Sequence, residues 1–572
     1  MSGQKIFLKS IRTFLEKNPK IYEFLEPAAL AANRFLHRFG LKIPQIPQKA
    51  YFQLLTLYNQ YQKRIYNPNG TPRVLLYTPR FWNIHAVIEH TIAIALSFKG
   101  AKCLFANCEG HLPICNIQNI NQGTQMPCGD CIKQQQKLFH QSGFPNYSLP
   151  HFVSQDQVRR AYQIVDSLDY KELENFSYES ISLGKLVQIS TRWFLAGNNL
   201  ANDKQSLKCY RNFVISAIIV YQAAQALLKT TKPDLIFLLN GLFFEERIIH
   251  TLAERLSIPI VTYENGFMNN SFVFARNGIA CYYDLSEHWS TVKNKCLSRK
   301  ENDWLDKYLT DRQVGNRAVI QYWPKREERI AEIKKKLCLD SRKKVIVAFT
   351  NIIWDSAVQN RDIGFKGMFA WLHQIIAFFS RHSEYQFIIR IHPAEIRLKG
   401  KETKESAVQF IRGAFSDLPS NIYIVPPDSD ISSYRLIELA HLILTYSSTI
   451  GLEAVLMGKP VMVAGQTHYR AKGFTLDTDT EAEYINRLGK ALKTAESEMD
   501  VDVEMARRYS FLFFRRYMID LTSIINQESS TKIHLVLDNL KDLKSKRHSE
   551  LSAVVNFILE STNLSDHKAL II

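Results

Sequence analysis

Short apolar runs alternate with longer helical segments along this chain, and that alternation restricts the fold more than any other feature. Val74–Tyr77 and Lys102–Ala106 flank a helical segment from about 83 to 98. Asp234–Asn240 and Ile258–Tyr263 flank another helical segment. Because neighbouring parallel strands need a long crossover between them, this alternation predicts a parallel sheet with helices on both faces.

A second set of apolar runs follows a highly charged segment at about 325–336. Its five runs are Lys343–Phe349, Gln386–Ile391, Asn421–Val425, His441–Thr445 and Pro460–Ala464. A single hydrophobic core stops growing at roughly 250–300 residues. A chain of 572 residues with 46% hydrophobic content therefore has room for two cores, and the second set predicts a second doubly wound domain.

These patterns predict an α/β protein with two Rossmann-like doubly wound domains and helical extensions at both ends. The N-terminal extension is expected over 1–70, and the first domain over 71–335 with a cysteine-rich insertion at 103–131. The second domain is expected over 340–480 and a helical C-terminal tail over 481–572.

The chain carries an excess of positive charge, with 72 Lys and Arg against 55 Asp and Glu and a formal charge of +17. Such an excess suits anionic partners such as nucleotide-activated sugars or anionic lipid, and it is equally consistent with a solvated basic surface. The basic residues are dispersed and no nucleic-acid-binding motif is present, so we expect no nucleic-acid partner.

The N-terminus lacks the long apolar core and cleavage site of a secretory signal, and no apolar run reaches the roughly 20 residues that span a bilayer. We therefore expect a cytoplasmic protein. Near the N-terminus, Ile6, Phe7 and Ile11 recur at helical spacing among lysines. Such a helix either packs on its own domain or lies on an anionic membrane, which would attach the protein to the inner face peripherally.

A group of hydroxyls follows one strand of the second domain, and ligands of open α/β sheets bind beyond the carboxyl ends of strands. Ser447, Ser448 and Thr449 precede a helical segment that contains Gly451 and Glu453. Hydroxyls and free backbone N–H groups at a helix start can bind a nucleotide phosphate, with Glu453 near a ribose hydroxyl. An ordinary helix N-cap is the alternative, since Ser and Thr are common there.

Two other strand ends of the second domain carry candidate donor-binding residues. Arg390 and His392 flank Ile391, so their side chains are expected on one face of a strand that Pro393 ends. An Arg–His pair can neutralise a phosphate leaving group, with His as general acid; a plain strand-ending turn is the alternative. Asn351 follows the first strand of this domain, a position that often lies against the donor.

Glu264 follows a strand of the first domain, in the sequence Glu264-Asn265-Gly266, and we expect it to face the cleft between the domains. A carboxylate there can act as general base on an acceptor hydroxyl in a direct displacement. An Asn-Gly turn with a solvent-facing Glu is the alternative.

The order of these motifs resembles GT-B glycosyltransferases, and more narrowly the capsule polysaccharide biosynthesis proteins and the related bacterial sialyl- and Kdo-transferases. Those transferases carry an acidic-acidic-Gly motif, a His-Pro motif and a Ser-Ser or Ser-Thr motif. Glu264-Asn265-Gly266, His392-Pro393 and Ser447-Ser448 occupy that order here, with Asn265 in place of the second acidic residue.

The resemblance implies a glycosyltransferase that moves a sugar from a nucleotide-sugar donor, CMP-linked, to a glycan or glycolipid acceptor of a surface polysaccharide. It assigns the acceptor base to Glu264, a donor phosphate or leaving-group contact to His392, and phosphate binding to Ser447 and Ser448. We expect an inverting reaction with no metal ion in the chemical step.

Three alternatives stay open at this point. The CDP-glycerol glycerophosphotransferases also have an Arg-x-His-Pro strand end and an Asp-Tyr-Ser-Ser turn, and Thr445 stands where that Asp would be. A non-catalytic protein of the same fold and a sugar-nucleotide epimerase are the others, because a fold by itself does not determine chemistry.

Five of the nine cysteines fall between Cys103 and Cys131. Four of them have the spacing Cys108-x6-Cys115-x12-Cys128-x2-Cys131. Two close and two more distant thiolates can enclose a structural Zn²⁺ ion or an Fe–S cluster. Reduced free thiols are the alternative.

Overall fold

The computed structural model describes most of the chain beyond residue 48. The described residues are 49–60, 66–201, 203–313, 329–356, 358–398, 400–494, 499, 501–529, 532–537, 539–544, 548–560 and 567–572. The basic helix predicted near the N-terminus therefore lies outside the described residues, as does part of the charged segment at 325–336.

The strands form two main sheets and one hairpin. They are β1 (Arg73–Tyr77), β2 (Lys102–Asn107), β3 (Asn146–Ser148), β4 (Leu235–Leu239), β5 (Ile260–Asn265), β6 (Ser271–Arg276), β7 (Val345–Phe349), β8 (Gln386–Arg390), β9 (Ile422–Val425), β10 (Leu442–Thr445), β11 (Val461–Val463), β12 (Leu476–Asp477), β13 (Ile519–Asp520), β14 (Ile525–Ser529), β15 (Lys532–Leu535) and β16 (Lys568–Ala569).

The helices connect these strands and cover both faces of each main sheet. They are α1 (Lys49–Gln60), α2 (Asn83–Phe98), α3 (Cys128–Ser142), α4 (Gln155–Val165), α5 (Tyr170–Asn175), α6 (Leu183–Leu186), α7 (Gln188–Leu195), α8 (Lys204–Thr231), α9 (Phe244–Arg255), α10 (Ser286–Val292), α11 (Arg299–Gln313), α12 (Ile330–Lys336), α13 (Met368–Phe379), α14 (Ala394–Arg397), α15 (Ala407–Ala414), α16 (Ser433–Leu439), α17 (Ile450–Leu456), α18 (Glu481–Lys493), α19 (Val503–Phe511) and α20 (Ser549–Leu559).

The first sheet has the strand order β13-β6-β5-β4-β1-β2-β3, with β16 also paired to β6. Its central strands are parallel, and Val74 of β1 lies opposite both Cys103 of β2 and Leu235 of β4. All five residues of β4 are buried, as expected for a parallel strand covered on both faces. One face packs against α1, α2 and α20, and the other against α8 and α9.

One helix of the described chain, α8, is long and apolar enough to cross a membrane by length and composition. In this fold it packs against the first sheet, and 72% of its apolar window is buried there. Its buried residues include Phe213, Ile218 and Leu227. It is therefore placed as a core helix of the first domain.

The second sheet has the order β12-β11-β10-β7-β8-β9, and every pairing in it is parallel. One face packs against α16, α17 and α19, and the other against α13, α15 and α18. The predicted fold class, α/β with two Rossmann-like doubly wound domains, is confirmed.

The C-terminal segment differs from the helical tail predicted over 481–572. Among the described residues of this segment, the regular helices are α18, α19 and α20, and β13 and β16 pair antiparallel with β6 at the edge of the first sheet. The β14–β15 hairpin lies against α1. An edge strand leaves unpaired backbone donors and acceptors, and the C-terminal segment satisfies those of β6.

The cysteine-rich insertion also has different bounds from the predicted 103–131. Cys103 lies inside β2, and Cys128 and Cys131 lie in the first turn of α3. The irregular part is therefore the connection between β2 and α3.

Candidate active site

A cavity of about 570 Å³ lies between the two domains. The first domain contributes residues that follow β1, β4 and β5, and the second contributes the loop after β7 together with Lys401. The carboxyl ends of both parallel sheets thus meet at this cleft, where ligands of doubly wound sheets bind.

Glu264 lines the cleft at the end of β5, as the sequence predicted. Its Oε1 accepts a hydrogen bond of 2.8 Å from the backbone N–H of Asn265, and the thiol of Cys281 donates to its Oε2 at 3.2 Å. Burial raises the pKa of Glu264, while hydrogen bonds from Asn265, Cys281 and Asn240 act in the opposite direction. Both carboxylate oxygens are therefore held in a fixed orientation.

Three aromatic side chains form one wall of the cleft: Trp82, Trp193 and Phe243. The ring centroids of Trp82 and Trp193 are 6.0 Å apart. The centroid of the Phe243 ring lies 5.7 Å from that of Trp82 and 5.5 Å from that of Trp193. The guanidinium of Arg80 lies 4.3 Å from the centroid of Trp82 and is paired with the buried Glu246 at 2.8 Å. This wall is a rigid aromatic platform.

Lys401 brings a positive charge from the second domain to the same wall. Its Nζ lies 4.2 Å from the centroid of the Trp193 ring, which is cation–π distance. Burial lowers the pKa of Lys401 to about 8, and the nearby Asp355 opposes that shift.

Two consecutive residues after β7 connect the predicted donor-binding motifs. The backbone N–H of His392 donates to Oγ1 of Thr350 at 2.9 Å, and that of Ser447 donates to Oδ1 of Asn351 at 3.2 Å. The ends of β7, β8 and β10 are thereby tied together. The same loop continues to Asp355, which lines the cleft opposite Glu264.

His392 is held as a neutral imidazole. Its Nδ1 lies 3.1 Å from the backbone N–H of Ala394 and accepts that hydrogen bond. Burial lowers the pKa of His392 to about 4, with Arg390 as a further cause. With Nδ1 acting as an acceptor, the proton resides on Nε2, so His392 can donate a hydrogen bond to a phosphate oxygen.

Arg390 is placed differently from the predicted phosphate contact. Its side chain is 1% exposed, and its guanidinium donates to the backbone carbonyls of Val425, Pro426 and Ser429. Arg390 and His392 therefore do not form a pair facing a common ligand. The Arg390 side chain instead anchors the loop after β9.

Ser447, Ser448 and Thr449 lie before α17, as predicted, and all three are partly exposed. The Ser447 hydroxyl is enclosed and has no hydrogen-bond partner among the described residues. The Ser448 carbonyl accepts a hydrogen bond from the Tyr469 hydroxyl. Because α17 has only seven residues, its dipole is a weaker contributor to anion binding than the sequence pattern suggested.

Two predicted ligand contacts in α17 have partners within the protein. A Cβ atom at Gly451 would collide with the Tyr469 hydroxyl, so the glycine leaves room for that side chain. The Glu453 carboxylate accepts from Arg312 at 2.9 Å and from the Tyr434 hydroxyl. A ribose contact for Glu453 would therefore have to compete with these bonds.

The structure does not support the metal site predicted at the four cysteines. In the described part of the chain, which contains all four, no group of three or more His, Cys, Asp or Glu side chains is arranged to hold a metal ion. Burial raises the pKa of Cys108 to about 11 and that of Cys131 to about 12, so both thiols keep their protons. Cys131 accepts the backbone N–H of Phe81 instead. The metal prediction is not supported.

Several cleft residues were not predicted from the sequence. Trp82 follows β1 and could have been found by the same strand-end rule that identified Glu264. Trp193, Cys281 and Lys401 lie in or beside loops with no local pattern that distinguishes them, and only the folded chain brings them to the cleft.

Residues 299–501 match the family model described as capsule polysaccharide biosynthesis protein. This match confirms the resemblance to that family. It includes His392 and Ser447 but begins after Glu264. No curated protein sequence matches the chain.

Solved structures with similar chains include two KpsC transferases of Thermosulfurimonas dismutans. The β-Kdo 2,4-transferase is 14% identical, with 55% of this chain and 88% of that chain covered and a TM-score of 0.33. The β-Kdo 2,7-transferase is 15% identical, with 52% of this chain and 82% of that chain covered and a TM-score of 0.30. A UDP-GlcNAc 2-epimerase from Neisseria meningitidis is 13% identical, with 77% of this chain and 97% of that chain covered and a TM-score of 0.23. Overlaps at these scores carry no information about the reaction.

Proposed function

We propose that this chain, which resembles the capsule polysaccharide biosynthesis proteins, is a glycosyltransferase that moves a sugar from a nucleotide-activated donor to a surface polysaccharide or glycolipid acceptor. The donor would bind at the strand ends of the second domain, and the acceptor would enter from the first domain. We further propose a CMP-linked donor, which rests on the family resemblance alone.

The observation that carries the proposal is the loop after β7. Thr350 and Asn351 hold the backbone of His392 and Ser447 at one edge of the second sheet. A few residues later, the loop reaches the cavity that Glu264 lines from the first domain. Glu264 lines this cavity, and the loop after β7 connects it to His392 and Ser447, the two candidate phosphate donors, which do not line the cavity themselves. We infer that bound substrates reach from the base to these donors, as a direct displacement requires.

In the proposed reaction, an acceptor hydroxyl gives its proton to Glu264 while its oxygen bonds to the anomeric carbon of the donor. The bond from that carbon to the phosphate oxygen breaks, and its electron pair stays with the phosphate. The Nε2–H of His392 and the hydroxyl of Ser447 would donate hydrogen bonds to the developing charge. Attack opposite to the leaving group inverts the anomeric carbon, and these donors let the step proceed without a metal ion.

The aromatic wall supports a carbohydrate acceptor. Trp82, Trp193 and Phe243 offer flat apolar surface beside polar groups, a combination typical of small-molecule sites. A cytoplasmic location with peripheral contact to an anionic membrane would fit a glycolipid acceptor, and the charge of +17 would favour that contact.

The nucleotide is tested by thermal-shift titration of the purified chain with CMP, CDP, UDP and GDP. We expect stabilisation by a cytidine nucleotide, because ligands that bind only the folded state raise its melting temperature. A preference for CDP together with glycerophosphate transfer would favour the glycerophosphotransferase alternative. Indifference to all four nucleotides would contradict the proposed donor site.

Catalysis is tested with Glu264→Gln and His392→Ala, using mass-spectrometric detection of transfer from the preferred donor. Glu264→Gln should lower turnover by roughly 10²- to 10⁴-fold, as loss of a general base does. His392→Ala should lower it by roughly 10²-fold through loss of a charge-stabilising donor. The exposed Glu287→Gln and His373→Ala are matched controls. Wild-type turnover in both site variants would refute the assigned roles.

A further inference from the structure

A chain of three hydrogen-bonded side chains leads from the cleft into the core of the first domain. Nδ1 of His85 lies 3.1 Å from the hydroxyl oxygen of Tyr263. That hydroxyl donates to Oε1 of Glu89 at 2.8 Å. Only His85, which is partly exposed, lines the cleft; the phenol and the carboxylate are buried behind it.

The three side chains are held by their surroundings. His85 and Glu89 are four residues apart on α2, so they lie on one face of the helix. The Tyr263 ring stacks on Phe237 with centroids 5.0 Å apart and planes 3° from parallel. The His85 ring contacts the rings of Trp82 and Tyr263, each at a centroid distance of 5.7 Å. The imidazole therefore has one defined orientation.

Burial keeps His85 neutral. Burial lowers the pKa of His85 to about 3, and the Arg80 guanidinium adds to that effect. Burial raises the pKa of Glu89 to about 8. The hydrogen bond from Tyr263 and the charge of Arg80 act to lower this pKa, whereas the charge of Glu246 raises it further. A neutral imidazole has one N–H donor and one bare nitrogen, so His85 can make one hydrogen bond with each ring nitrogen.

One of those two bonds is already made inside the protein. Nδ1 is used by Tyr263, and no described residue forms a hydrogen bond with Nε2. The same cavity is lined by Glu264, the base of the proposed reaction, and by Trp82 of the aromatic wall. A neutral, oriented nitrogen beside an aromatic platform suits a carbohydrate hydroxyl, which both donates and accepts hydrogen bonds.

We propose that His85 is a specificity-determining residue of the acceptor subsite that hydrogen-bonds a carbohydrate hydroxyl through Nε2, with Tyr263 and Glu89 as positioning residues. This inference rests on the proposed function, which assigns the aromatic side of the cleft to the acceptor. Nε2 of His85 is then the atom that recognises the acceptor, and a hydroxyl is the group that it recognises.

A second Tyr–His pair, between α1 and α2, does not reach the cleft. The Tyr58 hydroxyl lies 2.9 Å from Nδ1 of His90, and both side chains are buried in the core of the first domain. A Tyr58→Phe variant therefore removes a Tyr–His hydrogen bond of similar length and burial without changing the wall of the cleft.

Binding is tested by NMR on protein with ¹⁵N-labelled histidine rings and tryptophan indoles, titrated with a panel of methyl pyranosides and, separately, with CMP. The His85 signals are assigned by their loss in His85→Gln. We expect at least one pyranoside to shift the His85 signals and the indole signals of Trp82 and Trp193, with those of His90 unchanged. Indole shifts without a His85 shift, or no response to any pyranoside, would overturn the inference.

The nucleotide titration separates this inference from the proposed function. If CMP shifts the His392 signals while no pyranoside affects His85, the donor site stands and the His85 assignment fails. If neither CMP nor any other of the four nucleotides perturbs the spectrum, the proposed donor site itself fails.

Kinetics give a second test with the acceptor that supports transfer. His85→Gln should raise the acceptor KM by about 3- to 10-fold, which is the loss of one hydrogen bond. Tyr263→Phe and Glu89→Gln should raise it less, and Glu89→Gln keeps an oxygen that can accept from Tyr263. Tyr58→Phe should leave KM unchanged. An equal rise in Tyr58→Phe and Tyr263→Phe would show a merely structural effect and overturn the positioning assignment.

Discussion

At the scale of single residues, burial disfavours the charged forms of the two groups assigned to catalysis. It raises the pKa of Glu264 and lowers that of His392 to about 4. A neutral His392 can still donate through Nε2, but a base must be ionised to accept a proton. Glu264 therefore depends on the donors around its carboxylate, which include the Cys281 thiol and Asn240 from other parts of the chain.

The contribution of Cys281 can be measured through the pH dependence of transfer. Cys281→Ala removes a hydrogen bond that lowers the pKa of Glu264, so that pKa should rise and the acidic limb of kcat/KM should move to higher pH by about 0.5 to 1 unit. Cys281→Ser keeps a donor and should restore the wild-type position. An unchanged acidic limb in Cys281→Ala would mean that the thiol does not influence the base.

Ser447 should affect stability and binding in different ways. Its enclosed hydroxyl has no partner among the described residues, so Ser447→Ala should change the free energy of unfolding by less than about 0.5 kcal/mol. If the hydroxyl donates to a phosphate, the variant should weaken nucleotide binding by roughly 5- to 50-fold. Calorimetric titration with the preferred nucleotide measures this.

Ser510 provides the control for Ser447, because its buried hydroxyl also has no described partner and it lies in α19. Ser510→Ala should leave nucleotide affinity unchanged. Equal affinity in wild type and Ser447→Ala would remove Ser447 from the donor site.

At the scale of elements, the connection between β5 and β6 determines where Glu264 lies. Gly266 follows the base by two residues, and a Cβ atom there would collide with the Ser271 hydroxyl and approach the Met518 sulfur at 2.7 Å. Met518 immediately precedes β13, the strand that pairs with β6. The third position of the Glu-Asn-Gly motif is thus a glycine because two elements pack against its backbone.

Gly266→Ala should lower the free energy of unfolding by about 1 to 3 kcal/mol, as overpacking does, and should lower turnover by displacing Glu264. Gly489→Ala in α18 is the control, since nothing lies within 4 Å of its Cβ position. Gly489→Ala should raise the free energy of unfolding by about 0.5 to 1 kcal/mol. Urea unfolding measures the free energy of unfolding of both variants, and the two changes from wild type should have opposite signs. Two changes of the same sign would contradict the packing explanation.

At the scale of the whole molecule, contacts across the cleft join the donor side to the base. Nη2 of Arg361 in the second domain donates to the carbonyl of Cys281 at 3.1 Å, and its guanidinium lies 4.3 Å from the centroid of Tyr282. The carbonyl of Arg361 accepts the N–H of Gln466, which follows β11, at 2.7 Å. Arg361 thus links the second sheet, through its backbone carbonyl, to the turn that supports Glu264, through its side chain.

Arg361→Ala should loosen domain closure while leaving each domain folded. X-ray scattering without ligand should give a larger radius of gyration for the variant than for wild type, and this difference should shrink once donor nucleotide is added. The acceptor KM should rise by roughly 3- to 10-fold through loss of the hydrogen bond. The exposed Arg381→Ala is the control. Wild-type scattering and KM in Arg361→Ala would show that this contact does not govern closure.

Local periodicity and turn signals in the sequence were enough to predict the two domains and most of their strands. The helix predicted from about 83 to 98 coincides with α2, and the run Asp234–Asn240 contains β4. These features depend on residues close together in the chain. The positions of Glu264, His392 and Ser447 at strand ends follow from the same signals, which is why their order along the chain pointed to a family.

Only the tertiary structure decided which long-range partner each side chain meets. It turns Arg390 toward the loop after β9, pairs Glu453 with Arg312, and places Cys131 beside the backbone N–H of Phe81. It also brings Trp193 and Lys401 from different domains to one wall. Such pairings depend on the packing of elements far apart in sequence, and no local pattern encodes them.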